Sequence, residues 1–323
     1  MKNNNMHKLG WVYLSIFLIV SLLLCTVGYF YNKASAPPTS AEQTSNYLTV
    51  LPQKTPEKAV NTDLLTNKKV TNSALSSREG KYQRVIMTRP QWKLQGEFRE
   101  HFKRLQAAAN DGDNEAKYII ATNLRYCLSA PIDDNALQAE LEQISQYSDV
   151  GEAADRKIEK FDYCKGINSI ERHQFYAYLE DAAKNGFVAA QESFVNLTAE
   201  FFMKSQGFST LKRAEFIKKR DNFNKQKIVF LEYAAQHGSE KALISLSNVY
   251  YSQQLGEKSF AKSYALNRLI MEITDNNDIY NRYAWFEQRQ YPQLSESELA
   301  SANEIIEQWS AIINKNGTVY PHD

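Results

Sequence analysis

Two cysteines are the residues of this sequence best suited to covalent chemistry. Cys127 and Cys164 lie 37 residues apart, in the stretches LRYCLSAP and FDYCKGI. Such a pair can form a disulfide, remain as two buried thiols, or act as a reactive pair. A redox-active pair usually has C-x-x-C spacing, which is absent here. The choice between a disulfide and free thiols depends on the elements that position the two residues.

No other stretch matches a catalytic or cofactor-binding pattern. LGEKSF at 255–260 ends like a phosphate-binding loop, but Tyr251 stands where that loop needs its first glycine. Glu140 and Glu142 fall on a predicted helix surface, where solvated carboxylates are common. The histidines that follow the N-terminal apolar run are scattered singly along the sequence: His101, His173, His237 and His322. We therefore predict no catalytic residue, no metal site and no cofactor.

Three stretches repeat one pattern of small residues around a glycine. They are AANDGDNEA at 108–116, AAKNGFVAA at 182–190 and AAQHGSEKA at 234–242. An alanine pair precedes each glycine, and another alanine follows four residues later. Glycine accepts the left-handed conformation that ends a helix, and alanines let two helices approach closely. The pattern predicts a helix, a tight turn and a second helix at Gly112, Gly186 and Gly238.

Helix pairs of this kind must stack on one another to bury both of their faces. Gly112 and Gly186 lie 74 residues apart, twice 37, and Gly186 and Gly238 lie 52 apart. These spacings fit a period in the mid-thirties, with a degenerate unit around Gly151 and an insertion of roughly 15 residues before the third unit. Cys127 and Cys164 then occupy similar positions of successive units, which favours a disulfide if the domain is exported.

The alanine pair, glycine and following alanine, with a tyrosine near the end of the helix, resemble the Sel-one-like repeat family, a relative of tetratricopeptide repeats. The resemblance covers roughly residues 91–275. It implies an α-solenoid that binds other proteins, commonly in bacterial envelopes, as an adaptor, a regulator of membrane signalling or an immunity protein against toxins. It does not imply an active site.

Residues 9–31 contain no charged side chain and are long enough to cross a bilayer as a helix. The alternative is a cleaved signal peptide ending at Ala34-Ser35-Ala36, although Pro37 would follow the cleaved bond. Lys2 and Lys8 favour a cytoplasmic tail at 1–8. We expect a flexible linker at 32–90, a helical-repeat domain at 91–316 and a tail at 317–323. This organisation predicts a single-pass protein of the bacterial inner membrane, with its C-terminal domain in the periplasm.

Two segments of the helical domain are candidate contact surfaces. The stretch 209–227 is rich in basic residues that could meet anionic lipids or an acidic partner, although an ordinary solvated helix face fits as well. Its candidate contact residues are Lys212, Arg213, Lys218, Lys219 and Arg220. The aromatic stretch 278–292 offers Trp285 as a possible interface anchor, although packing beneath the final helix is also consistent with it.

The sequence thus predicts an all-α solenoid of stacked antiparallel helix pairs, preceded by a transmembrane helix and a disordered linker. Its expected function is binding of another protein at the membrane, without enzymatic activity. The net charge of +1 gives no bias toward nucleic acid. A cell-envelope hydrolase built on a helical scaffold is the alternative hypothesis.

Overall fold

A computed structural model of the chain describes residues 84–146, 151–252 and 259–322. The predicted tail 1–8, the predicted span 9–31 and linker residues 32–83 lie outside these ranges, as does Cys25. Within the described ranges, no helix combines the length and the apolar character needed to cross a bilayer.

The described residues are mainly helical. Two strands of two residues each, β1 (Val85–Ile86) and β2 (Thr318–Val319), form the sheet structure seen in these ranges, and 3-10 turns occur at Phe208–Thr210 and Tyr291–Gln293. The helices are α1 (Phe98–Asn110), α2 (Asn114–Cys127), α3 (Asp134–Ile144), α4 (Gly151–Tyr163), α5 (Ser169–His173), α6 (Phe175–Lys184), α7 (Val188–Val195), α8 (Ala199–Ser205), α9 (Arg213–Gln236), α10 (Glu240–Ser252), α11 (Phe260–Ile273), α12 (Asn277–Gln290) and α13 (Glu296–Asn316).

The long helices stack mostly in chain order. The α1–α2 pair packs through α2 onto α6, the α6–α7 pair packs through α7 onto α9, and the α9–α10 pair packs through α10 onto α11. Both α12 and α13 then pack against α11. Each pair buries one face internally and another against its neighbour, as stacked helical repeats do. The described residues therefore form an all-α repeat fold, with the two short strands added at its edge.

The three predicted turns share one hydrogen-bond pattern. Gly112, Gly186 and Gly238 have φ values of 97°, 83° and 76°. Each glycine N–H donates to the carbonyl three residues back, and the next residue donates to the carbonyl five residues back, with N···O distances of 2.9–3.1 Å. This is the hydrogen bonding of a left-handed helix cap. The alanines that follow at offset four, Ala116, Ala190 and Ala242, are all buried.

The final helix, α13, begins at a capping box and ends at a glycine. The Ser295 side chain accepts from the Glu298 N–H while the Glu298 carboxylate accepts from the Ser295 N–H, which is a capping box. Gly317 ends the helix with φ 65°. Along α13, Ala302 and Ile313 are buried.

Two regions interrupt the regular repeat. Before the third turn, the insertion consists of α8, a 3-10 turn and the extended N-terminal half of the 24-residue helix α9. At the degenerate unit, α3 and α4 pack against each other, but Gly151 is the first residue of α4 and not a turn between helices. Helix α3 has no buried residue, so this pair lies at the periphery of the stack.

The folded region extends beyond both predicted boundaries of the helical domain. Val85 and Ile86, expected in the linker, pair in parallel with Thr318 and Val319, expected in a tail. The sequence pattern missed this sheet because two-residue strands are too short to show the alternation typical of a strand. Ordered elements of the described chain therefore lie on both sides of residues 91–316.

Candidate interaction surfaces

The disulfide joins Cys127, at the end of α2, to Cys164, just after α4. Their Cα atoms are 5.5 Å apart, and both residues are fully buried. The bond closes the chain segment that contains the peripheral α3–α4 pair, so it fixes this pair to the repeat stack at its base. It also removes both thiols from redox or nucleophilic chemistry in this state.

Polar contacts next to the disulfide hold the N-terminal segment of the domain. The buried Asn123 amide donates to the Trp92 carbonyl oxygen at 2.7 Å, and its oxygen accepts from the Tyr163 hydroxyl. The Tyr163 oxygen in turn accepts from the Leu94 N–H at 3.1 Å. The segment before α1 is thereby attached to α2 and α4, the two helices that the disulfide links.

The two ends of the described fold meet at the third repeat turn. Tyr320 donates its N–H to the Gly238 carbonyl at 2.9 Å, and Glu240 donates its N–H to the Tyr320 carbonyl at 3.1 Å. A Cβ at Gly238 would lie 2.2 Å from the Thr318 carbonyl oxygen, far inside contact distance. Glycine is required at this turn for its φ value and also for the close approach of β2. We call β1, β2 and residues 238–240 the terminal clasp.

A buried ion pair reinforces the terminal clasp. The Arg89 guanidinium donates to both carboxylate oxygens of Glu192 on α7, at 2.5 and 2.8 Å, and to the Pro321 carbonyl at 2.6 Å. The Ser239 hydroxyl donates to the same carboxylate at 2.6 Å. Bidentate pairs of this kind are among the strongest hydrogen-bonded contacts in proteins. Sequence reasoning missed this group because its members come from four separate parts of the chain.

Glu240 is the most buried carboxylate of the clasp. It is 2% exposed, and its Oε2 accepts from the His322 N–H at 2.8 Å. Burial raises the pKa of this carboxyl above its ordinary value, against the smaller opposing effects of its hydrogen bonds from His322 and the Thr274 side chain. The clasp therefore contains a group whose charged form is disfavoured by folding.

The predicted basic residues lie on the N-terminal half of α9 and are exposed to solvent. Lys212, Arg213 and Lys218 are exposed and make no ion pair with the described residues. Lys219 lies 5.0 Å from the centroid of the Phe208 ring, and Arg220 pairs with Asp221 at 2.9 Å. The structure brings these side chains together on one helix but places no carboxylate of another element opposite them.

Trp285 lies on the outer side of α12. Two helices, α10 and α11, separate α12 from the basic residues of α9 along the chain. Its indole is 48% exposed. The Arg289 guanidinium lies 3.8 Å from the ring centroid, and the Phe286 ring lies 5.1 Å away. Tyr283, two residues before Trp285, lies on the inner side of α12 and is buried against α11 and its neighbours. The aromatic stretch is thus divided between packing and exposure, as its mixed spacing allows.

A second group of aromatic rings lies near the ends of α10, α11 and α12. Tyr251 at the end of α10 contacts Phe260 at 5.7 Å, and Tyr264, one helical turn further along α11, contacts Tyr291 after α12 at 6.2 Å. Tyr251 and Tyr291 are 47% and 52% exposed. The ring contacts of Phe260 and Tyr264 depend on how α10, α11 and α12 align. The sequence alone therefore could not predict that these aromatic rings lie close together.

The isolated histidines and carboxylates have structural contacts. The ring nitrogens of His101, His173 and His237 each lie within 3 Å of a nearby backbone carbonyl, and Glu140 pairs with Lys157 at 2.6 Å. In the ranges that the structure covers, no three His, Cys, Asp or Glu side chains are grouped to hold a metal ion.

No family model matches the sequence. No curated protein matches it either. Among solved structures, the chain is similar to a protective antigen present in uropathogenic Escherichia coli strains, described as displaying an SLR fold. The sequence identity is 14% and the TM-score is 0.26, over 68% of this chain and 50% of the antigen. The chain thus spans half the length of that protein, and a likeness at this level does not bear on function.

Proposed function

We infer that the chain is an exported helical-repeat protein, tethered to the inner membrane by residues 9–31, that binds another protein through its α11–α12 region. Binding by a rigid repeat surface needs no catalytic group, and a tether raises the local concentration of the surface near the membrane. This role is supported by a set of exposed aromatic residues, by the disulfide and by the apolar N-terminal run.

The distribution of exposed aromatic side chains carries this proposal. Within the described ranges, each aromatic residue that is exposed lies between residues 251 and 291. Exposing a large aromatic side chain forgoes the free energy of its burial, roughly 2 kcal/mol or more for a full side chain. Tyrosine and tryptophan are also the residues most enriched at the energetic centres of protein interfaces. The exposed set is Tyr251, Tyr280, Trp285 and Tyr291.

The charges around Trp285 indicate the chemistry of the partner. Arg282 and Arg289 lie three residues before and four residues after Trp285, so all three share one side of α12. Both arginines are exposed, and neither pairs with a carboxylate of the described residues. An apolar partner surface rimmed by carboxylates would complement this side of the helix.

The disulfide supports an oxidising compartment. Disulfides persist in secreted and periplasmic proteins and are rare in the cytosol. An uncharged run at residues 9–31 that precedes a disulfide-bonded domain is consistent with an anchor whose C-terminal side faces that compartment. Export and anchoring are therefore parts of the same proposal.

Co-purification of the full-length protein from its host's detergent-solubilised envelope tests the proposal. We expect one stoichiometric protein partner with the wild type, and loss of that partner with Trp285→Ala combined with Arg289→Glu. Ile170→Ala is the matched control, because Ile170 is 77% exposed on α5, far from α12 in the stack. A partner retained by both variants, or no partner under several growth conditions, would contradict the assignment of this surface.

A further inference from the structure

We propose that the N-terminal half of α9 binds the anionic head groups of a phospholipid bilayer. This inference rests on the proposed tether but not on the aromatic surface. We call the contact region the basic arm and define it by its exposed cations: Lys212, Arg213, Lys218, Lys219 and Lys225.

The cations of the basic arm lack acidic partners. None of the five pairs with a carboxylate in the parts of the chain that the structure describes. Residues 212–227 contain seven basic and two acidic residues, and one of the acids, Asp221, already pairs with Arg220. The arm therefore carries a net positive charge that the fold does not neutralise.

Several cations elsewhere in the repeat stack have a carboxylate partner. The ion pairs on α1, α2, α4 and α6 join cations to carboxylates of the same or neighbouring helices. These pairs are Arg99–Glu171, Lys117–Asp181, Lys157–Glu140 and Lys184–Glu180. What distinguishes the basic arm is that five exposed cations without such a partner lie close together in one stretch of the chain.

The basic arm is a firmly packed element. Phe223 on the inner side of α9 is buried and stacks on Phe202 of α8, with ring centroids 4.2 Å apart. On the outer side, Ile217 is 36% exposed. Helical spacing places Arg213 and Lys218 on either side of it. The outer side of this part of α9 is therefore mainly cationic, which suits contact with charged head groups more than insertion between acyl chains.

A bilayer fits this surface better than a protein or a nucleic acid. The basic arm exposes no aromatic residue, so it lacks the anchors that usually dominate protein interfaces. Lipid head groups can move to match any spacing of cations, and each basic residue near an anionic surface adds to the attraction. The disulfide supports a compartment without nucleic acid.

The geometry of α9 is compatible with simultaneous tethering and contact. The C-terminal end of α9 lies at the terminal clasp, where Asn316 donates its amide to the Gln236 carbonyl at 2.9 Å. Arg84, the first described residue, directly precedes β1 of the terminal clasp. The basic arm is at the other end of α9, ~30 Å from the clasp at a helical rise of 1.5 Å per residue. A random-coil chain of 52 residues, the number from 32 to 83, would have a root-mean-square reach of ~40 Å.

Lysine footprinting of the full-length protein tests the inference. The protein is reconstituted into nanodiscs of phosphatidylcholine alone or mixed with phosphatidylglycerol, and lysine acetylation by an amine-reactive ester is measured by mass spectrometry. We expect the reactivity of Lys212, Lys218, Lys219 and Lys225 to fall several-fold in the anionic discs and to recover at high salt. Lys103, an exposed lysine on α1, should react equally in both discs. Equal reactivity of the arm lysines in the two discs would overturn the inference.

Two charge-reversal variants complete the test. Lys218→Glu combined with Lys225→Glu should abolish the protection of Lys212 and Lys219, whereas Lys103→Glu combined with Arg104→Glu should leave it intact. Protection that appears only on addition of envelope protein, and not with anionic lipid, would assign the arm to a protein partner and refute lipid binding. Co-elution of the protein with the discs reports on the tether separately. If the protein does not enter discs, the same footprint is measured with preformed vesicles of the two compositions.

Discussion

Gly238 and Gly112 occupy equivalent turns but differ in what surrounds them. Both have positive φ, which an L-residue adopts at a cost of about 1–2 kcal/mol. A Cβ at Gly112 would meet nothing within 4 Å, whereas a Cβ at Gly238 would collide with the backbone of Thr318. Glycine is therefore required in the first unit only for its backbone conformation. In the third unit it is required also because a side chain would collide with β2.

Replacing each glycine by alanine separates the two requirements. Gly112→Ala should lower the free energy of unfolding by about 1–2 kcal/mol, the cost of the left-handed conformation alone. Gly238→Ala should cost more and should also displace β2, which hydrogen exchange of Thr318–Tyr320 would report. Urea unfolding of the two variants gives the energies. Equal losses with unchanged exchange at β2 would contradict the close approach seen at the clasp.

Glu240 predicts a specific pH dependence of stability. Its folded-state pKa is raised by burial, so the folded protein holds this proton more tightly than the unfolded chain does. The contribution of this group to stability is therefore full below its unfolded pKa and decreases as the pH rises through the folded pKa.

Glu240→Gln removes this titration while keeping an acceptor for the His322 N–H. Relative to the wild type, the variant should gain stability as the pH is raised from about 5 to about 8, measured by urea unfolding at both values. An identical pH dependence in the two proteins would show that Glu240 does not titrate differently on folding.

At the scale of elements, the disulfide compensates for the weak packing of the α3–α4 pair. Helix α3 has no buried residue, so little apolar burial holds it to the stack. Closing a chain segment of 37 residues restricts the unfolded state and fixes the base of the pair. The covalent bond thus stabilises a part of the fold that the repeat pattern does not.

Breaking this disulfide should have both a global and a local effect. Cys127→Ala combined with Cys164→Ala should lower the free energy of unfolding by about 4 kcal/mol in the chain-entropy model. Hydrogen exchange should accelerate most in residues 134–163. Cys25→Ala is the control and should change neither quantity. Uniform exchange throughout the domain would indicate that the α3–α4 pair does not depend on the bond.

The elements differ in how well the sequence predicts them. The glycine turns are local features, since the residues that form each turn lie within nine positions of one another. The disulfide was predictable because its two cysteines are separated by one repeat period. The clasp was not, because Arg89, Glu192 and Ser239 meet only after the repeats have stacked. Exposure of Trp285 likewise depends on which side of α12 faces α11.

For the whole molecule, the described repeat stack carries two different surfaces. The aromatic residues of the α11–α12 region suit a protein partner, and the cations of the basic arm suit an anionic bilayer. The terminal clasp joins the start and the end of the described fold, so a tether attached at Arg84 would pull on the third repeat unit and not on an isolated strand.

Site-specific photo-crosslinking in intact cells tests the central claim most directly. A photo-reactive phenylalanine analogue replaces Trp285 or Tyr291 in the full-length protein, and Ile170 as the control. We expect positions 285 and 291 to crosslink to the same envelope protein and position 170 not to do so. Absence of any crosslink from positions 285 and 291, or the same products from all three, would contradict the claim that this region is a protein-binding surface.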